Sequence, residues 1–218
     1  MAFSFVASEF IDSDTLNTLV INKPTGTVDD DIMFIIINRW SWWSPISVPS
    51  WWNSIWTQTN YYLYWKKASS EWSSYSWGFS WSTFTSMVLS TFRWWFDLSN
   101  PIDVVSNTVY TTSNTILRAA GMIVTYPNSP IIYLWTIFRT TGARTFTPPT
   151  SPATFTEHYD WWSVLWWWWF EIASMIRTWS WSTGDMDSTI SWTIAIKHAF
   201  AVALKPELPA NWNFLMFM

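Results

Sequence analysis

From Tyr75 to Trp81 the chain reads Tyr-Ser-Trp-Gly-Phe-Ser-Trp, aromatic residues alternating with small ones. A period of two puts Tyr75, Trp77, Phe79 and Trp81 on one face and Ser76, Gly78 and Ser80 on the other. That is the pattern of a half-buried strand and not of a helix. The surrounding stretch, Glu71–Asp103, adds a second extended run at Met87–Phe92 and closes on the turn signal Ser99-Asn100-Pro101. Comparable runs recur on both sides of it. Phe3 and Phe5 alternate with Ala2 and Ser4, and the β-branched run Ile32–Ile37 suits a strand buried on both faces. Tyr61–Lys66, Ile131–Arg139, Ser188–Ser191 and Ala195–Leu204 read as further strands, and Thr115–Tyr126 as one or two more. Asn22–Thr27 and Thr183–Asp187 are turns, and the prolines of Thr147–Pro152 mark an extended loop. Glu171–Arg177 is assigned β from its context, and the four consecutive Trp of Glu157–Phe170 predict a strand or an irregular segment.

Roughly ten to twelve short strands separated by turn signals predict an all-β protein. The expected architecture is a single antiparallel β-sandwich, jelly-roll-like, spanning 1–206 with a C-terminal tail at 207–218. No exact internal repeat is visible. The longest unbroken apolar runs, Ile32–Ile37 and Val164–Phe170, fall far short of the roughly 20 residues of a membrane helix, so no membrane insertion is expected. Lys and Arg are scattered and the net charge is −4, which argues against nucleic-acid binding. There is no Cys, which excludes disulfides and thiolate metal sites.

One imbalance stands out. The chain has 23 Trp but 5 Gly, where about 7% Gly is ordinary and turn-rich β proteins need more. Several Trp sit where turns are expected: Trp51-Trp52, Trp94-Trp95, Trp161-Trp162, Trp179 and Trp181. Gly and Trp codons can differ by one base, so many of these positions are expected to be glycine in an ancestral chain. That expectation fails wherever such a Trp has φ < 0 and a well-packed indole.

Candidate sites are few. Asp29-Asp30-Asp31, with Asp12 or Asp14 nearby, and the pair Asp185 and Asp187 have carboxylates of the kind that bind Ca²⁺, but no EF-hand spacing accompanies them. Solvated turns account for these acids more simply than a bound ion does, and no cofactor is expected. Glu157, His158 and Asp160 have acid–base potential but no nucleophile motif beside them, and His198 lies in an apolar strand. No enzyme is therefore expected. Trp42, Trp43, Tyr61 and Tyr62, with Trp51 and Trp52, are candidate faces for a glycan or a protein partner, because large bare aromatic patches on a soluble protein mark contact sites.

The order of several short motifs carries a resemblance. It runs through Asn22-Lys-Pro-Thr-Gly-Thr-Val-Asp-Asp-Asp-Ile-Met33, Val48-Pro-Ser-Trp-Trp52, Tyr62–Lys66, Ser74-Tyr-Ser-Trp77 and Phe92-Arg-Trp-Trp-Phe-Asp97 with Pro101-Ile-Asp103. Thr145–Pro149, Thr156–Asp160 and His198–Pro206 complete it. Together they resemble a β-sandwich module of phage virion proteins, of tail-fibre or decoration type, and of bacterial surface proteins. The chain departs from that pattern chiefly where the family has glycine: Asp30, Trp52, Trp94 and Trp161-Trp162. The resemblance implies a non-enzymatic structural protein on the particle exterior, assembled in the host cytoplasm. Its implied partners are capsid or tail subunits, further copies of itself, and a host surface glycan if it serves attachment. An initiator Met without an export signal fits a virion protein better than a secreted adhesin.

Overall fold

The computed structural model describes residues 3–14, 16–39, 46–58, 60–80, 84–94, 97, 99–110, 114–138, 146–150, 154–162, 169–177, 183, 186–194 and 196–206. Among them are sixteen strands and no helix, so no helix there is long and apolar enough to cross a membrane. The first eight are β1 (Ser4–Ser13), β2 (Thr18–Asn22), β3 (Ile32–Arg39), β4 (Ile46–Ser47), β5 (Asn53–Gln58), β6 (Tyr61–Lys67), β7 (Ser74–Phe79) and β8 (Thr85–Arg93). The next eight are β9 (Ile102–Tyr110), β10 (Asn114–Ala119), β11 (Ser129–Phe138), β12 (Phe146–Thr147), β13 (Thr156–Trp162), β14 (Trp169–Arg177), β15 (Met186–Ile194) and β16 (Ile196–Leu204). The count exceeds the expected ten to twelve partly because β4 and β12 are two residues each, too short for alternation to reveal. Met186 and Asp187, expected in a turn, open β15.

The all-β, antiparallel fold expected from the alternation is what forms, and its jelly-roll strand order occurs twice. The first half makes a five-stranded sheet β1-β8-β3-β6-β5 and a three-stranded sheet β2-β7-β4. In the second half the sheets run β9-β16-β11-β14-β13 and β10-β15-β12, the same order with every strand number raised by eight. Finer details repeat as well. A bulge interrupts β5 opposite β6 at Ile55, between Ser54 and Trp56, and another interrupts β13 opposite β14 at His158, between Glu157 and Tyr159. A left-handed residue precedes the first central strand at Asp30 (φ 71) and the second at Asn128 (φ 59). Asp and Asn are the side chains that tolerate this conformation best after glycine. The left-handed backbone at Asp30 is one that glycine adopts at least cost, which fits the glycine expected at this position.

The four sheets stack in the order three, five, five, three strands, as their cores show. Leu19, Ile35, Tyr75 and Trp77 fill the space between the first small sheet and the first large one. Met186, Tyr133 and Trp135 fill the matching space in the second half. A third core joins the two large sheets, with Phe34, Ile36, Leu63 and Phe92 from one facing Leu134, Phe170, Phe200 and Val202 from the other. This explains β3. Every residue of it is buried because alternate side chains enter different cores: Met33, Ile35 and Ile37 one, and Ile32, Phe34 and Ile36 the other. Each such side chain contributes about 1.5–3 kcal/mol on burial, so the inter-half core is a major source of stability.

Equivalent strands of the two halves meet at one polar contact. Asn38 Nδ2, near the end of β3, donates to Thr136 Oγ1, near the end of β11, and both residues are fully buried. Asn38 Oδ1 has no hydrogen-bond partner. Removing the acceptor alone with Thr136→Val should cost about 1–3 kcal/mol, since the whole amide is then buried unpaired. Replacing both residues by apolar ones of similar size should recover most of that loss, and urea unfolding of the two variants measures the difference.

Contacts between the large sheets descend in the same order along both halves: Asn38 to Thr136, then Trp56 to Phe200, then Phe5 to His158. Equivalent ends of the two halves therefore lie together.

Candidate functional site

The end of the first half where β3 begins gathers four connections: 23–31, 48–52, 68–73 and the stretch following Arg93. Register places them together, since Ile32 pairs with both Lys67 and Phe92 while Asn53 pairs with Trp65. The turn at 24–27 can form because Gly26 takes φ 86, open to glycine at little cost, and Thr27 closes it by donating both N and Oγ1 to Pro24 O.

Charged side chains hold these loops in place. Asp31, 2% exposed, accepts two bonds from Arg93 (Nε and Nη2, each 2.7 Å) and one from the Val28 amide (2.9 Å). Arg93 also donates to Gly26 O at 2.8 Å, and its hydrogen bonds to the Asp31 carboxylate raise its pKa. The Asp29 carboxylate accepts from the Ser70 amide, and Asp30 pairs with Lys67 at 3.2 Å. Next to them Glu71, its side chain 2% exposed, joins Lys66 Nζ and Tyr75 Oη, each at 2.7 Å, and accepts from the Ser69 amide. Burial, with the Glu71 carboxylate as hydrogen-bond acceptor, pushes the Tyr75 phenol well above its usual range. Lys66 also lies over the Tyr75 ring.

The side chains facing water at this end are of another kind. Trp51 is 82% exposed and Trp72 78% exposed, with Val28 also exposed. Between them Trp52 is buried, edge-on to Tyr75 (5.4 Å) and tilted against Trp77 (5.5 Å). The end thus presents two bare indoles, and the loop that carries Trp72 is fixed by the Glu71–Lys66 ion pair and by bonds to 23–31.

Several expected site residues have other duties. Both oxygens of Asp31 are taken by Arg93 and Val28, and Asp187 pairs with Arg118 at 2.6–2.7 Å in a bond joining β10 and β15. Asp29 serves the Ser70 turn, and Asp185 lies outside the described residues. Among the described residues no group of three or more His, Asp or Glu could hold a metal ion. Trp42 and Trp43 lie outside the described residues. Tyr61, expected as a contact ring, is instead 4% exposed in the inter-half core, and burial raises its phenol pKa. Tyr62 is half-buried against the core of the first half, near Arg39, which the adjacent positions' opposite faces explain.

His158 Nε2 lies 2.6 Å from Ser174 Oγ, the separation of a base and a hydroxyl nucleophile. Ser174 is 3% exposed, and the half-buried imidazole stacks on Phe5 with Phe92 edge-on to it, so the pair is built into the packing between the sheets. Glu157 is exposed, and in the strand register Asp160 lies opposite Glu171. Sequence reasoning missed the bonding roles of Arg93, Glu71 and Lys66, and it missed Trp72. Arg93 was legible only as a member of a motif, since a partner 62 residues away leaves no local trace.

No protein-family model, curated protein or solved structure matches the chain.

Proposed function

We propose that the chain is a non-enzymatic structural protein of the exterior of a phage particle, a capsid-decoration or tail-fibre component that binds neighbouring virion subunits. The observation that carries this reading is the arrangement of the β3 end. Its carboxylates Asp29, Asp30, Asp31 and Glu71 are each consumed in holding loops still, while Trp51, Trp72 and Val28 face outward. Such a surface is rigid and apolar, suited to adhesion rather than to chemistry. The resemblance to virion modules supports the same reading. Purified particles, separated into heads and tails and probed with an antibody to the chain, test it. Recovery with one of the two fractions fits the proposal, and absence from intact particles contradicts it.

A second reading, a carbohydrate-binding module for host attachment, is favoured by the two exposed indoles, since flat aromatic faces stack on sugar rings. Glycan-array binding that disappears in the double variant Trp51→Ala, Trp72→Ala would support this reading, and no binding to any glycan would remove it.

A further inference from the structure

We propose that His158 is an acid-sensitive latch between the two halves, holding the large sheets together when neutral and loosening them when protonated. The geometry sets it apart from an ordinary core histidine. His158 is the bulged residue of β13, and a bulge re-aims its side chain out of the regular alternation. From there it crosses to the other half, stacking on Phe5 at 4.8 Å with an interplanar angle of 10° and standing edge-on to Phe92 at 6.1 Å. The equivalent bulge of the first half carries Ile55, which packs in the same core. A titratable ring therefore occupies a position whose counterpart is purely apolar.

Among the described residues no carboxylate pairs with the ring, whose one hydrogen-bond partner is the Ser174 hydroxyl. Ser174 on β14 contacts Nε2 alone, and a hydroxyl serves either protonation state. On β1 Glu9 sits opposite Leu89, which packs in the other core, and Asp12 lies towards the far end, opposite Ser86. On β8 Arg93 is turned to Asp31. On β14 Glu171 lies in register with Trp135, and Arg177 is at the end of the strand, opposite Ser129. On β13 itself Glu157 is exposed and Asp160 is paired in register with Glu171. Attraction of an imidazolium for the Phe5 ring offsets only part of what it loses in hydration. Burial accordingly lowers the His158 pKa below its ordinary 6.5. The sign follows. The unfolded chain takes up the proton first, so stability is complete above the unfolded value and is lost as pH falls through it.

The test uses the full chain and His158→Ile, which copies the Ile55 position. Between about pH 7.5 and about pH 5 the wild type should lose roughly fivefold more of its folded-to-unfolded ratio than the variant. Equal losses would overturn the proposal. Should the variant fail to fold, the wild-type ring resonance decides. Titration below the ordinary histidine value, with loss of contact to Phe5, upholds the latch, whereas ordinary titration contradicts it.

We infer separately, from the backbone, that position 51 is a glycine position. Trp51 has φ 72, carries a β-carbon that disfavours this conformation, and is 82% exposed, so packing returns little for it. Trp52 and Trp94 do not share its conformation, since neither has positive φ. Trp52 packs on Tyr75 and Trp94 on Phe3, so the glycine expectation fails at both. Trp161 and Trp162 lie in β13, while Trp95, Trp179 and Trp181 fall outside the described residues. Trp51→Gly should raise the folded-to-unfolded ratio about tenfold in urea titration, and an unchanged or lowered ratio would contradict the assignment.

Discussion

Arg93→Ala should lower the stability of the chain by about 2–3 kcal/mol, one of its most sensitive single substitutions outside the apolar cores. The magnitude comes from Asp31. Removing the guanidinium leaves a carboxylate that is 2% exposed with only the Val28 amide as partner. Breaking a buried pair from one side costs about 3–5 kcal/mol, and the partial exposure of Arg93 places this case below that range. The effect should also spread. Arg93 ties Asp31 and Gly26 O to the end of β8, and Asp31 O accepts from the Ala68 amide of the next loop. Urea midpoints give the energy, and hydrogen exchange at Val28 and Ala68 shows whether the loops open. Arg93→Lys should fall between the two, because a single ammonium cannot reproduce the two-pronged bond.

Phe92→Ala should cost about 3–5 kcal/mol. Phe92 is fully buried, and its ring meets Phe3 and Phe5 at 5.6 Å, Phe34 at 6.2 Å and His158 at 6.1 Å. The cavity it leaves would lie between the halves, walled by packed strands on both sides that cannot close over it. The loss should therefore lower the unfolding midpoint of β11 and β16 as much as that of β3 and β8. A matched deletion away from this junction, Trp77→Ala, should cost a similar amount through the first half's own core, where its indole nitrogen already lacks a partner.

Much of the strand content could be read from the chain because the physics is local. The alternation at Tyr75–Phe79 gave β7 its buried and open faces, and the β-branched run at Ile32–Ile37 announced a strand with no solvent face. Layering could not be read this way. Tyr61 and Tyr62 look alike as neighbouring aromatics, and only a second large sheet decides that the first is covered. The duplication was hidden for a related reason. Equivalent positions hold chemically different residues, Ile55 against His158, or Asp30 against Asn128, while what repeats is strand order, bulge and backbone sign. The loop network escaped notice because much of it joins residues far apart in the chain, as with the Arg93–Asp31 pair 62 residues apart and the Asp29–Ser70 bond that spans 41 residues. Trp51 is the reverse case: composition raised the question, and the backbone angle answered it at that position and refused it at Trp52 and Trp94.

The two jelly-roll halves share the core between their large sheets and should therefore unfold as one body. Native-state hydrogen exchange across increasing denaturant measures this directly. The slowest amides of β3 and β8 should converge with those of β11 and β16 on a single free energy of opening. Two separate plateaus, with one half exchanging while the other stays protected, would contradict it.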